Sequence, residues 1–104
     1  MIEEYLRIEG IPSVGAENGM QGLTALREHQ PSVVLLDLSM PVMDGFRFRE
    51  EQLRLADGHL AGIPVVVLSA FSDCQRHAQR MGAADVIPKP IDFDRLISVV
   101  RKYQ

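Results

Sequence analysis

The sequence predicts a single α/β domain in which a parallel sheet is wound on both faces by helices, and two observations carry that expectation. Val33-Val34-Leu35-Leu36 and Val65-Val66-Val67-Leu68 are unbroken apolar runs, each followed at once by a polar residue, Asp37 and Ser69. A run without alternation marks a strand buried on both faces, as in parallel sheets covered by helices on each side. Segments of helical spacing separate these runs, and strand-helix alternation implies right-handed crossovers and an open, doubly wound sheet. A length of 104 residues suits one such domain and leaves no room for a second.

Taken in order, Ile2, Tyr5, Leu6 and Glu9 stand at helical spacing and stop at Gly10, a residue favoured just past a helix end, so the chain opens on the back half of a helix. Ser13 to Ala16 is a short strand candidate, with Pro12 suiting a strand entry or a sheet edge because it lacks an N–H. Asn18 can cap a helix with Met20, Leu23 and Leu26 on one stripe, ending before Pro31. Val33 to Leu36 and Val65 to Leu68 are the two strong strands, and Val86-Ile87, leading through Pro88 to Lys89, is a weaker third. Helices are expected over Phe46 to Ala56, over Ser72 to Met81 and over Asp92 to Tyr103. The second opens on a Ser72-x-x-Gln75 capping box and closes at Gly82, and the third sets Phe93, Leu96, Ile97 and Val100 on one face.

Composition excludes several function classes. Eleven basic against fourteen acidic residues give a net charge of −3, which offers no footprint for a nucleic-acid backbone. No apolar run approaches the roughly 18 residues of a membrane span. The single cysteine, Cys74, cannot form an internal disulfide, and the acidic, helix-patterned amino terminus is unlike a signal peptide, so a cytoplasmic location is expected. His29, His59 and His77 have no ligand spacing, and Met40, Met43 and Met81 read as core filler.

In doubly wound sheets ligands bind outside the carboxyl ends of the strands. Asp37, Ser69 and Lys89 each occupy that place on three successive strands, so a carboxylate, a hydroxyl and an ammonium should converge on one crevice. Each has a plainer reading alone: a turn-forming aspartate, a serine in a turn, a solvated lysine. Their coincidence at equivalent strand ends is what makes a site. A compact ammonium on a flexible stem suits a phosphate-like group, and Lys89-Pro90 is a setting in which a cis bond can occur.

Asp37-Leu38-Ser39-Met40-Pro41-Val42-Met43-Asp44-Gly45, Ser69-Ala70 after an apolar strand, and Lys89-Pro90 together resemble the receiver domain of two-component response regulators, over essentially the whole chain. The resemblance implies a flavodoxin-like receiver fold and a signal-transduction switch rather than an enzyme. It implies that Asp37 is the phosphoacceptor, taking a phosphoryl group from the phosphohistidine of a histidine kinase or phosphotransfer protein. Ser69 and the Ala70 backbone N–H would hold phosphoryl oxygens, Lys89 would pair with another, and the Ser39 carbonyl would join Asp37 as a ligand of Mg2+.

Receivers begin with a strand that ends in an acidic pair, which completes the magnesium site. That strand and the elements after it need about 50 residues before the phosphoacceptor, whereas 36 precede Asp37. Residues 1–104 are therefore expected to form a receiver truncated at its amino end, with the first, central strand missing. Glu3 and Glu4, placed near the end of the helix remnant and away from the strand ends, are not expected to replace the acidic pair. The incomplete metal site counts against metal-dependent phosphorylation of the isolated chain, since magnesium prefers near-octahedral oxygen ligation. Val86 stands where many receivers carry a mobile aromatic ring, and valine is too stiff for that movement. A phosphorylation-silent interaction or dimerisation module is the alternative reading; a metal-dependent hydrolase is disfavoured because one carboxylate leaves no base and no second ligand. Without the central strand, Val33 to Leu36 becomes an apolar edge. Either Ser13 to Ala16 slides in to pair with it or a second copy covers it, and the homodimer is the favoured expectation.

Overall fold

The structure is a computed structural model that describes residues 2–38, 45–70 and 74–104. Its elements are α1 (Ile2–Ile8), α2 (Gly19–His29), β1 (Val34–Asp37), α3 (Gly45–Leu53), α4 (Gly58–Ala61), β2 (Val65–Ser69), α5 (Cys74–Met81), β3 (Asp85–Pro88) and α6 (Phe93–Lys102). The three strands form one parallel sheet in the order β1-β2-β3. The α/β, parallel, helix-covered architecture agrees with the sequence expectation.

The unbroken apolar runs are explained by the two layers. Side chains alternate across a strand, so Val65 and Val67 of β2 enter the cluster with Phe48, Ala78 and Met81. Val66 and Leu68 enter the opposite cluster with Leu6, Leu96, Val99 and Val100. Both faces of β2 are covered, and all five of its residues are buried. The α6 stripe does what its spacing predicts, burying Leu96, Val99 and Val100. Near the start of that helix Phe93 stacks on Tyr5 of α1 at 4.5 Å between ring centroids.

Local signals were reliable at helix ends. Asn18 caps α2 by accepting from the Gln21 N–H, and Asp92 caps α6 by accepting from the N–H groups of Asp94 and Arg95. Gly10 and Gly82, with φ of 76° and 64°, take the left-handed conformation that ends a helix cheaply. The capping box at Ser72 and the methionines Met40 and Met43 lie outside the described residues, and Met81 is buried in the core as expected.

Two expectations fail. The segment at Ser13 to Ala16 is not a strand and pairs with nothing in the sheet. A proline and a glycine lower its strand propensity, and no neighbouring strand lies within reach to supply ladder bonds. Met20, assigned to the apolar stripe of α2, is 61% exposed, and Leu26 carries the burial of that helix.

A network absent from the sequence reading locks the first layer. Gln52 is fully buried and donates from Nε2 to the carbonyls of Leu60 and Ile63, each at 3.1 Å. Its Oε1 accepts from Arg49, whose guanidinium also donates to the Met81 and Gly82 carbonyls at the end of α5. Burial lowers the Arg49 pKa from its ordinary value.

The two edges of the sheet differ. Lys89 N–H donates to Ser69 O, so in the alternating parallel ladder Val86 and Pro88 turn their backbone groups outward, while Ala84 donates its N–H inward to Val65 O at 2.8 Å and turns only its carbonyl out. The Val86 N–H donates to Asp85 Oδ1 at 2.8 Å and its carbonyl accepts from Arg95 at 3.3 Å. Ala84 O accepts from the Tyr103 hydroxyl at 3.5 Å, and Pro88 has no N–H to offer. On the other side Val34 N–H donates to Pro64 O and Leu38 N–H to Leu68 O, which turns Val33 and Leu35 outward. No backbone hydrogen bond from the described residues reaches those two.

Candidate functional site

The site forms because three strands of similar length run parallel and in register. Asp37 closes β1 opposite Leu68, and Ser69 closes β2 opposite Pro88. The bonds from Leu38 N–H to Leu68 O (3.2 Å) and from Lys89 N–H to Ser69 O (2.9 Å) carry the ladder to its end. The Lys89-Pro90 bond is cis, in the tight passage between β3 and α6.

At this end Lys89 Nζ donates to Asp37 Oδ2 at 2.7 Å, spanning two strands and 52 positions of sequence. The two side chains are 31% and 41% exposed, so the pair remains open to a ligand from solvent. At such exposure the pair adds on the order of 1 kcal/mol or less to stability, and two opposite charges at the mouth of a crevice can exchange partners when an anion arrives. Ser69 between them is 2% exposed, fixed by the fully buried strand that ends in it. Ala70 follows directly and is exposed. The structure thus joins Asp37 and Lys89 directly and sets Ser69 at the end of the strand between them with Ala70 just beyond it, while Ser39 lies outside the described residues.

The arrangement presents a carboxylate beside a cation, with a serine at the intervening strand end, which suits acceptance of a phosphoryl group, where charge is spread over several oxygens. It does not by itself suit a magnesium ion. Asp37 Oδ2 is engaged by Lys89, and among the described residues no group of three His, Cys, Asp or Glu side chains could hold a metal.

Glu3 departs from the place expected for it. It sits in the first turn of α1, not near the helix end, and lines the groove beside β1 into which Asp37 also opens. Its carboxylate lies against Gly15, where a Cβ would require the flexible Glu3 side chain to shift. Sequence reasoning missed this because only the fold brings the start of α1 to β1. Val86 is buried, 5% exposed, and packs in the core with Val65 and Val67.

Comparisons with known proteins agree with the geometry. A family model described as response regulator receiver domain matches residues 1–101. The chain is 33% identical over 104 residues to the DNA-binding transcriptional regulator NtrC of Escherichia coli, covering 98% of this chain and 21% of that protein. It is 30% identical over 105 residues to sporulation initiation phosphotransferase F of Bacillus subtilis, covering 99% of this chain and 82% of that protein. It therefore spans about a fifth of the length of the NtrC-type regulator and most of the shorter relative. Among solved structures, a Francisella response regulator receiver domain superposes with a TM-score of 0.83 at 26% identity, covering 98% of this chain and 83% of that one. Among the described residues no helix is long and apolar enough to cross a membrane.

Proposed function

The chain belongs to the response regulator receiver domain family, and from that premise we propose that it is the receiving module of a two-component signalling system with Asp37 as its phosphoacceptor. The observation that carries the reading is the 2.7 Å pair between Asp37 and Lys89 across the strand ends.

The donor is the phosphohistidine of a histidine kinase or phosphotransfer protein. A carboxylate oxygen of Asp37 attacks phosphorus, an O–P bond forms as the P–N bond breaks, and the imidazole leaves with the electron pair and is protonated by solvent. Lys89, which neutralises Asp37 at rest, turns to the new phosphoryl oxygens. The Ser69 hydroxyl and the Ala70 N–H supply further donors from the strand between. An aspartyl phosphate adds negative charge at this point, and the resulting movement of Ser69 and Lys89 is transmitted to β2, β3, α5 and α6, a partner-binding surface switched by charge. Residues 1–104 form a receiver without its first strand, and the rest of the magnesium site belongs to that strand.

The test is incubation of this receiver, with a first strand and its acidic pair restored ahead of residue 1, with acetyl phosphate and magnesium, followed by intact mass. A gain of one phosphoryl group that disappears in Asp37→Asn is the expected result; a gain that persists in the variant places the acceptor elsewhere. The second reading, a phosphorylation-silent interaction module, is favoured by the single carboxylate at the described strand ends, and it predicts no gain at any magnesium concentration.

A further inference from the structure

The ring of Phe46 bridges α3 and α5 on the layer that holds Phe48, Ala78 and Met81. Phe46 is the second residue of α3, and its half-buried ring meets the His77 ring of α5 edge to face, with centroids 5.3 Å apart and planes at 85°. The Arg80 guanidinium, further along α5, stands 5.6 Å from the centroid of the same ring. Both contacts are directional, because the face of an aromatic ring is negative and its edge positive. The start of α3 is in turn seated on the end of β1. A Cβ on Gly45 would collide with the Leu38 side chain and would lie 3.4 Å from the Leu38 Cα and 3.5 Å from the Leu36 Cγ, and these two leucines flank Asp37. The carboxyl end of α5 is held separately, by the Arg49 guanidinium donating to the Met81 carbonyl at 2.9 Å and the Gly82 carbonyl at 3.2 Å.

We propose that Phe46 is a positioning residue that passes the state of Asp37 to α5, by a route through α3 separate from the one through Ser69 and Lys89. Its trigger is phosphorylation of Asp37, so this role rests on the phosphoacceptor reading. Charge added at Asp37 displaces the end of β1, and α3 follows because the close approach of Gly45 to Leu36 and Leu38 leaves no slack. The Phe46 ring then moves against His77 and Arg80. With its last turn fastened by Arg49, α5 answers by loosening ahead of that clamp rather than by sliding as a whole. The ring supplies from α3 an aromatic lever that the stiff, buried Val86 does not supply from β3. Leucine fills a similar volume without a ring face, so packing and ring contact can be separated.

The test uses this receiver with a first strand and its acidic pair restored ahead of residue 1, held in acetyl phosphate and magnesium. Intact mass reads phosphorylation, and amide exchange at Ala78 and Arg80 reads the response of α5. Phosphorylation should accelerate that exchange about tenfold in the unaltered chain and less than about twofold in Phe46→Leu, with the same mass gain in both. Phe46→Tyr, which keeps the ring, should respond as the unaltered chain does. A full response in Phe46→Leu, or an equal loss in Phe46→Tyr, overturns the proposal. Should Phe46→Leu not fold, Arg80→Gln, at an exposed position, decides: the acceleration at Ala78 should fall about threefold, and an unchanged one overturns the role. A chain that gains no mass refutes the phosphoacceptor reading instead. Asp37→Asn then supplies the perturbation, and a change of exchange at Ala78 that survives Phe46→Leu overturns the role of Phe46, whereas one that is lost with the ring supports it.

Discussion

The sheet ends in two strands of equal length, β1 and β3, and the chain finishes their outer edges in opposite ways. At β3 each outward position is dealt with separately. The Val86 N–H is turned to the side chain of its own neighbour, the Val86 carbonyl is met by Arg95, the Ala84 carbonyl is met by Tyr103, and Pro88 has no N–H. The Arg95–Asp85 pair at 3.2 Å ties these devices together. At β1 the described residues show none of this, and a groove with many apolar lining residues runs beside the edge. An exposed edge is a template for pairing, and proteins suppress it with charge, proline and cover. The contrast separates an edge built to remain an edge from one whose surroundings fit an interior strand.

The largest expected effect compares two leucines of nearly equal burial. Leu96 is 0% and Leu26 is 2% exposed, yet Leu96 is enclosed by the sealed half while Leu26 borders the groove. Leu96→Ala should cost about 3 to 4 kcal/mol in urea unfolding and Leu26→Ala about 2 kcal/mol, because the space left by Leu26 merges with volume already open to solvent. Equal losses would mean that the groove is closed in solution. A smaller effect follows from Asp85→Ala, which removes both the acceptor of the Val86 N–H and the partner of Arg95. We expect a loss of about 1 kcal/mol, with amide exchange at Val86 accelerated toward the rate at Leu35; unchanged exchange would show that the side-chain acceptor does not protect that edge. The smallest is Tyr103→Phe. Its bond to Ala84 lies at the limit of hydrogen-bond length, and a change within about 0.5 kcal/mol is expected by the same unfolding measurement. A loss well above that would make Tyr103 a principal clamp of the edge.

Much of the fold was legible in the sequence because its signals are local or periodic. Unbroken Val and Leu runs require cover on both faces, and the two core clusters supply it. Asn18, Gly10 and Gly82 act within a few residues of themselves, so their roles survive in the folded chain; the capping of α6 by Asp92 was a finding of the structure. The site was legible for a related reason: parallel strands in register bring their carboxyl ends together, so Asp37 and Lys89 meet once β1, β2 and β3 are ordered correctly. The Ser13 to Ala16 segment was misread because strand propensity counts only where a neighbour offers hydrogen bonds, and here the neighbouring place in the sheet holds no strand.

By itself, then, the sequence determined the α/β class, the two-sided burial of the central strand, the Asn18 cap and the meeting of a carboxylate and an ammonium at one end of the sheet. Periodicity and strand-end position depend only on backbone geometry. Tertiary structure alone decided that Glu3 lines the groove, that Gln52 and Arg49 lock α3 to the end of α5, and that Asp85 and Arg95 seal one edge while the other opens on a groove. Those outcomes depend on side chains far apart in sequence meeting at specific distances, and no periodicity encodes a contact between residues whose separation only the packed layers fix.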